Sequence, residues 1–215
     1  MSTWGIVVAG GTGSRFGTAK QFESIAGARL VDRAVDAAAS ACDEVVVVVP
    51  DGFAWDGAPV TAAVAGGASR SASVRAGLAA VPTSASIVVV HDAARPLASS
   101  SLFDAVISAV VSGADAAVPA LPVPDTVKRI DGDRVVETVA RDGLVAVQTP
   151  QAFRADALRA AHASGADATD DAALIEVAGG RVVIVPGEPA NLKVTTPADL
   201  VAAAALDAGA SRERS

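Results

Sequence analysis

Aromatic residues are scarce in this 215-residue chain. They make up 3% of it against 51% hydrophobic residues in all, so the core must be Ala and Val packed closely, helix directly on sheet. The single Cys42 excludes an internal disulfide and any cysteine-cluster metal site, and it reads as buried filler. Lysine is rare too. Of 17 basic residues only Lys20, Lys128 and Lys193 are lysines, so each retained point charge invites a reason that an arginine fork would not serve. No stretch approaches the ~18 consecutive apolar residues of a membrane span, and no basic region precedes a long apolar one near Met1, so a soluble, cytoplasmic protein with no membrane partner is expected. Excess positive charge is also missing. A net charge of -7 argues against general nucleic-acid binding, and any anionic ligand must be met by local cations.

What is present is a glycine turn. Ile6, Val7, Val8 and Ala9 suit a strand buried on both faces of a parallel sheet. Gly10, Gly11 and Gly13 then let the backbone turn sharply and aim amide N–H groups at an anion. The same glycines would equally serve a tight strand-to-helix turn with no ligand, but Arg15 and Lys20 close behind favour a phosphate. Gly11, Gly13 and Gly17 only approximate a dinucleotide fingerprint. The acidic residue such a site needs about 20 positions on comes considerably later, the second strand ending at Pro50 and Asp51, and the Gly-Lys-Ser/Thr ending of a Walker loop is missing. A mononucleotide triphosphate is the better account.

The rest alternates as an α/β fold does. A helix over 30–41 and a β-branched strand over Val45–Val49 follow, then a polar, glycine-rich loop from Gly66 to Arg75 and a helix over 76–81. Ile87–Val90 is a buried strand ending in His91, Asp92 and Arg95, at the sheet edge where open α/β folds bind ligands. A helix over 102–111 and a strand over 116–119 continue a Rossmann-like, doubly wound, mostly parallel sheet. Between 122 and 150 the pattern changes to polar–apolar alternation around Asp131-Gly132-Asp133, a β-hairpin expected to project as an arm, either onto another subunit or folded back on its own chain. Helices near 155–163 and after Asp170-Asp171, a strand at 182–185 and a last helix from Pro197, capped by Thr196, complete one domain over 1–209. Residues 210–215 are expected to be a disordered tail, and no internal repeat is present.

The segments GGTGSR–KQF, GG–SR–SV, VHDAARP, PDTVK, QTPQAF, TDDA and NLKVTTP, in that order over nearly the whole chain, resemble the 2-C-methyl-D-erythritol 4-phosphate cytidylyltransferase family. The resemblance implies transfer of CMP from CTP to a polyol phosphate with release of pyrophosphate, using Mg²⁺ and a homodimer joined through the arm. It implies that Arg15, Lys20, Arg141 and Lys193 are catalytic, and that Ala9, Gly10, Gly11, Gly13, Gly66, Gly67, Ser73 and Asp92 bind CTP. Asp92, Arg95, Asp125, Thr126, Arg141, Thr149 and Lys193 would bind the acceptor, with Asp92 as the candidate Mg²⁺ ligand. His91 reads as a structural hydrogen-bonding histidine rather than a base. Asp170 and Asp171 read as a helix cap and first-turn acid, and Lys128 as surface decoration of the hairpin. The loop between Arg15 and Lys20 is shorter than the family leads one to expect. Ribitol-5-phosphate cytidylyltransferases share the glycine doublet and TGSR, and differ only in acceptor. A nicotinamide-dependent oxidoreductase and a silent nucleotide-binding protein are the alternatives of other classes.

Overall fold

The computed structural model describes residues 1–11 and 20–213. In chain order, β1 (Thr3–Val8) leads to a 3-10 turn at Lys20–Phe22, then β2 (Ser24–Ile25), β3 (Ala28–Arg29), α1 (Leu30–Ala39), β4 (Glu44–Val49), β5 (Ala62–Ala65) and α2 (Arg70–Ala80). β6 (Ile87–Asp92), α3 (Ser100–Val111) and β7 (Ala116–Pro122) follow, then the hairpin β8 (Val127–Asp131) and β9 (Arg134–Val139), with β10 (Val145–Val147) and β11 (Gln151–Arg154) behind it. α4 (Ala155–His162), α5 (Asp171–Val177), β12 (Val182–Pro186) and α6 (Pro197–Glu213) end the described chain.

Among the described residues eight strands form the central sheet, in the order β10-β7-β11-β6-β1-β4-β5, with β12 also pairing β7. β1 runs parallel to β4 and β6, and β4 to β5, whereas β10 and β11 are antiparallel insertions. The valine run explains the double burial: Val45, Val47 and Val49 pack with α1 and α3 on one face, and Val46 and Val48 with α2 and α4 on the other. β1 is the pivot. The chain leaves it for β4 and β5 on one side and returns through β6 on the other, which puts a switch point at the carboxyl ends of β1 and β6.

Several elements differ from the sequence reading. α2 begins at Arg70 inside the stretch read as a loop, because the Ser69 side chain accepts the Ala72 N–H and caps it. Its serines look like loop residues, but Ser73 donates back to the Ser69 carbonyl at 3.0 Å and Ser71 bonds the backbone of Ala168 across the fold. β5, β10 and β11 are strands that the sequence pattern does not mark. α6 continues to Glu213, so its backbone enters the stretch expected to be a disordered tail. The hairpin forms as expected, with Gly132 at φ +59° between Asp131 and Arg134, a conformation that favours glycine. It makes a separate two-stranded sheet, and Lys128 reaches across it to Thr138 at 2.6 Å. Thr196 caps α6 by accepting the Asp199 N–H, while the Asp199 carboxylate accepts from the N–H groups of Thr195 and Thr196. Among the described residues no helix is long and apolar enough to cross a membrane.

Candidate active site

At the switch point lies a cleft of about 430 Å³, lined on one side by Val8 to Gly11, Lys20 and Gln21, on another by Gly67 to Arg70 and Ser73, and on a third by Asp92, Lys193 and Thr195. Its floor is drawn tight by backbone contact. Gly10 and Gly66 approach so closely that a Cβ on Gly66 would stand 2.9 Å from Ser73 Oγ and 3.2 Å from the Gly10 Cα. Ser73 Oγ accepts the Gly67 N–H at 3.1 Å, which holds the second glycine segment against the first. The buried Gln21 amide donates to the carbonyls of Ala9 at 2.7 Å and Gly11 at 2.9 Å. Gln21 thereby fixes the shape of the turn, whose glycine amide N–H groups are of the kind that can meet an anion.

Asp92, at the end of β6, is 8% exposed and shared between two cations. Lys193 Nζ donates to one carboxylate oxygen at 2.6 Å and Arg70 Nε to the other at 3.1 Å. Burial alone would raise the Asp92 pKa, but the charges of Arg70 and Lys193 overcome it and hold the carboxyl well below its usual range. Arg70 offsets its own burial with a second carboxylate: Nη1 donates to Asp171 at 2.7 Å, and the two acids raise the guanidinium pKa. Asp171 is fully buried and its other oxygen meets His162 Nε2 at 3.0 Å.

Behind Asp92 runs a neutral hydrogen-bond chain. The Asp92 N–H donates to Thr149 Oγ1 at 3.0 Å, Thr149 Oγ1 lies 3.1 Å from His91 Nδ1, and His91 Nε2 lies 3.0 Å from the Arg95 carbonyl. A carbonyl accepts only, so Nε2 carries the proton and Nδ1 accepts from Thr149. Burial pushes the His91 pKa down to about 4, which keeps the ring neutral and leaves it no role as a base at neutral pH. The segment carrying Lys193 is tied to the same strand end: Arg95 Nη1 donates to the Asn191 carbonyl at 2.7 Å, Asn191 Nδ2 to the Thr149 carbonyl at 2.9 Å, and the Val194 N–H to the Ala94 carbonyl at 2.8 Å. Val194 is buried beside Ile25 and Leu30, and its lysine neighbour faces the cleft.

A glycine turn, cations from distant segments and one carboxylate at a switch point describe a site for phosphates, and comparison with known proteins agrees. The family profile of 2-C-methyl-D-erythritol 4-phosphate cytidylyltransferase (IspD) matches residues 4–207. The chain belongs to that family. It is 46% identical to the 2-C-methyl-D-erythritol 4-phosphate cytidylyltransferase of Frankia casuarinae, over 94% of this chain and 79% of that protein. It is 43% identical to a bifunctional enzyme IspD/IspF of Solidesulfovibrio magneticus, of which it spans only 57%. The crystal structure of 2-C-methyl-D-erythritol 4-phosphate cytidylyltransferase from Thermus thermophilus superimposes with a TM-score of 0.83 at 36% identity, covering 94% of this chain and 97% of that one. Cytidylyltransferases are nucleotidyltransferases, and this membership displaces the oxidoreductase reading.

The IspD fold gathers Ala9, Gly10, Gly11, Lys20, Gly67, Ser73, Asp92 and Lys193 around one cleft, with Gly66 directly beneath. Gly13 and Arg15 lie outside the described residues. Thr149 and Arg95 do not line the cleft: the Thr149 hydroxyl is spent behind Asp92, and the Arg95 guanidinium on the carbonyls of Asn191 and Val147. Asp125, Thr126 and Arg141 stand exposed on the arm, where the Arg141 guanidinium bonds the Pro124 carbonyl, and they do not line the cleft with Lys193. Asp170 caps α5 by accepting the Ala173 N–H, as expected, but Asp171 is more than a first-turn acid. Arg70, Asp171 and Gln21 do not stand out as site residues in the sequence. The signal is there in the SR, TDDA and KQF segments, but an acid and an arginine 101 positions apart do not announce a pairing. Among the described residues no three His, Cys, Asp or Glu side chains converge as a metal-ion cluster.

Proposed function

We propose that this chain transfers CMP from CTP to 2-C-methyl-D-erythritol 4-phosphate. The observation that carries this reading is the convergence of the glycine turn, Lys20, Asp92 and Lys193 on one cleft, within a chain of this family. An acceptor phosphate oxygen attacks the α-phosphorus of CTP; the new P–O bond forms as the bond to the pyrophosphate oxygen breaks, and pyrophosphate leaves. A phosphate monoester is already largely ionised near pH 7, so no general base is required. The work is to neutralise two anions and align them. Lys20 and Arg15 act on the triphosphate, the segment around Gly66, Gly67 and Ser73 on the cytosine, and Lys193 on the acceptor phosphate.

Mg²⁺ fits this donor set as a metal that arrives with the nucleotide. Both Asp92 oxygens accept from cations, Arg70 Nε and Lys193 Nζ, so Asp92 would meet Mg²⁺ through water, in keeping with an ion held otherwise by substrate phosphates and its own waters. When bound, it supplies further neutralisation of phosphate charge.

The second half of the acceptor site comes from a partner copy. The arm is a two-stranded sheet with Ile130 64%, Val135 54% and Val136 49% exposed, an arrangement that is marginal alone in water and gains from covering. Crossing to the other subunit covers it and delivers Asp125, Thr126 and Arg141 to that subunit's Lys193. The test is pyrophosphate release with CTP and Mg²⁺. Turnover is expected with methylerythritol phosphate and at most weak turnover with ribitol phosphate, the acceptor named in no relative given above. No turnover with either refutes the reading, and light scattering that finds a monomer at micromolar concentration refutes the shared site.

A further inference from the structure

Asp92 is held by two cations of very different freedom. Lys193 stands on a loop with its side chain 41% exposed, whereas the Arg70 side chain is 22% exposed and spans two carboxylates, Asp92 at the end of β6 and Asp171 at the start of α5. Asp171 is in turn fully buried and fastened by His162, itself 4% exposed. The planar fork reaches two carboxylates on different elements with donors in fixed directions, and the compact ammonium of a lysine in its place would not reproduce that reach. The array His162–Asp171–Arg70–Asp92–Lys193 is therefore buried at one end and open to solvent at the other.

We infer that Arg70, anchored by Asp171, is a positioning residue that keeps Asp92 paired while Lys193 leaves it for the acceptor phosphate. The inference rests on the cytidylyltransferase reading and deepens it. A phosphate dianion entering the cleft competes with Asp92 for Lys193. Were Lys193 the only partner of Asp92, its departure would strand a buried carboxylate beside an incoming anion, which is strongly unfavourable. With Arg70 fixed in place the carboxylate stays compensated and does not swing toward the substrate. Asp92 is then the resting place of Lys193 between turnovers, and the buried end of the array sets how easily the lysine is released.

Arg70→Met is expected to raise the acceptor KM about tenfold or more while the CTP KM changes less than about threefold. Asp171→Asn, which preserves shape, shifts the same ratio in the same direction by a smaller factor, and the double variant is no worse than Arg70→Met alone. Arg70→Lys does not restore the acceptor KM. A purely structural role would lower thermal stability and weaken both substrates together, and that result, or an unchanged acceptor KM in folded variants, overturns the inference. A readout without turnover separates it from the parent reading. The chain has three lysines, so reductive ¹³C-methylation gives few lysine signals, assigned through Lys193→Arg. Titrated with inorganic phosphate, the Lys193 signal should move in the wild type and require about tenfold more phosphate in Arg70→Met. Equal titration in both sinks the inference even if the enzyme is active. Unequal titration sustains it even if neither acceptor is turned over.

Discussion

Replacing Gly66 by alanine probes the tightest contact in the cleft. The new Cβ would lie 2.9 Å from Ser73 Oγ and 3.2 Å from the Gly10 Cα, well inside ordinary van der Waals separation. Neither neighbour can yield cheaply. Ser73 is 3% exposed and its hydroxyl already accepts from the Gly67 N–H at 3.1 Å and donates to the Ser69 carbonyl at 3.0 Å, so rotating it away breaks both bonds. Gly10 offers only backbone. Overpacking of this kind costs about 1–3 kcal/mol, and loss of a buried hydrogen bond falls in the same range. A stability loss of about 2 kcal/mol is expected in Gly66→Ala, together with a CTP KM raised about tenfold because the Gly66–Gly67 segment must move off the turn that we propose grips the phosphates. Gly11→Ala is the matched control. Among the described residues no atom lies within 4 Å of its added Cβ, so its stability should stay within about 0.5 kcal/mol of the parent. Urea denaturation of both variants and steady-state CTP titration of Gly66→Ala are the assays, and a Gly66→Ala protein as stable as Gly11→Ala refutes the packing argument.

Three further outcomes are expected. The Lys193→Met and Arg141→Met variants should each lose about 10²-fold or more in turnover, as removal of one electrostatic donor does. Mixing the two variants should restore activity if the arm crosses; mixtures no more active than the separate variants would exclude a shared site. His91 gives a pH signature with a definite sign. Its folded pKa lies near 4, below the 6.5 of the unfolded chain, so the unfolded state binds the proton first and stability falls as pH drops from 6.5 through 4, by about 3 kcal/mol in all. His91→Gln, which still can donate to the Arg95 carbonyl, should flatten that slope in a series of urea melts; an unchanged slope would mean that His91 is not the titrating group. Asp199, whose pKa is lowered to about 2 chiefly by the Thr195 hydroxyl and then by backbone N–H groups, locks the start of α6. Asp199→Ala should cost about 1 kcal/mol, read by thermal melting above pH 4.

Much of this protein can be read from local pattern. The β-branched run Val45–Val49 announces a doubly buried strand, Asp131-Gly132 a hairpin, and Thr196-Pro197 a helix start, because each is decided by neighbours within a few positions. Lys20, Asp92 and Lys193 were legible as residues of one cleft for a similar reason: each sits in a short motif at a strand end or loop, and few lysines compete for attention. Local pattern misleads where serines cap and back-bond, so that α2 looks like a loop until Ser69 is seen to cap it. Tertiary structure alone decided which partners long-range packing brings together. Thr149 lies 57 positions from Asp92, yet its hydroxyl fixes the Asp92 backbone instead of lining the cleft. Arg70 joins Asp92 to Asp171 because α2, β6 and α5 meet at one sheet edge. Burial makes a buried carboxylate require a partner, but only the fold says which cation reaches it.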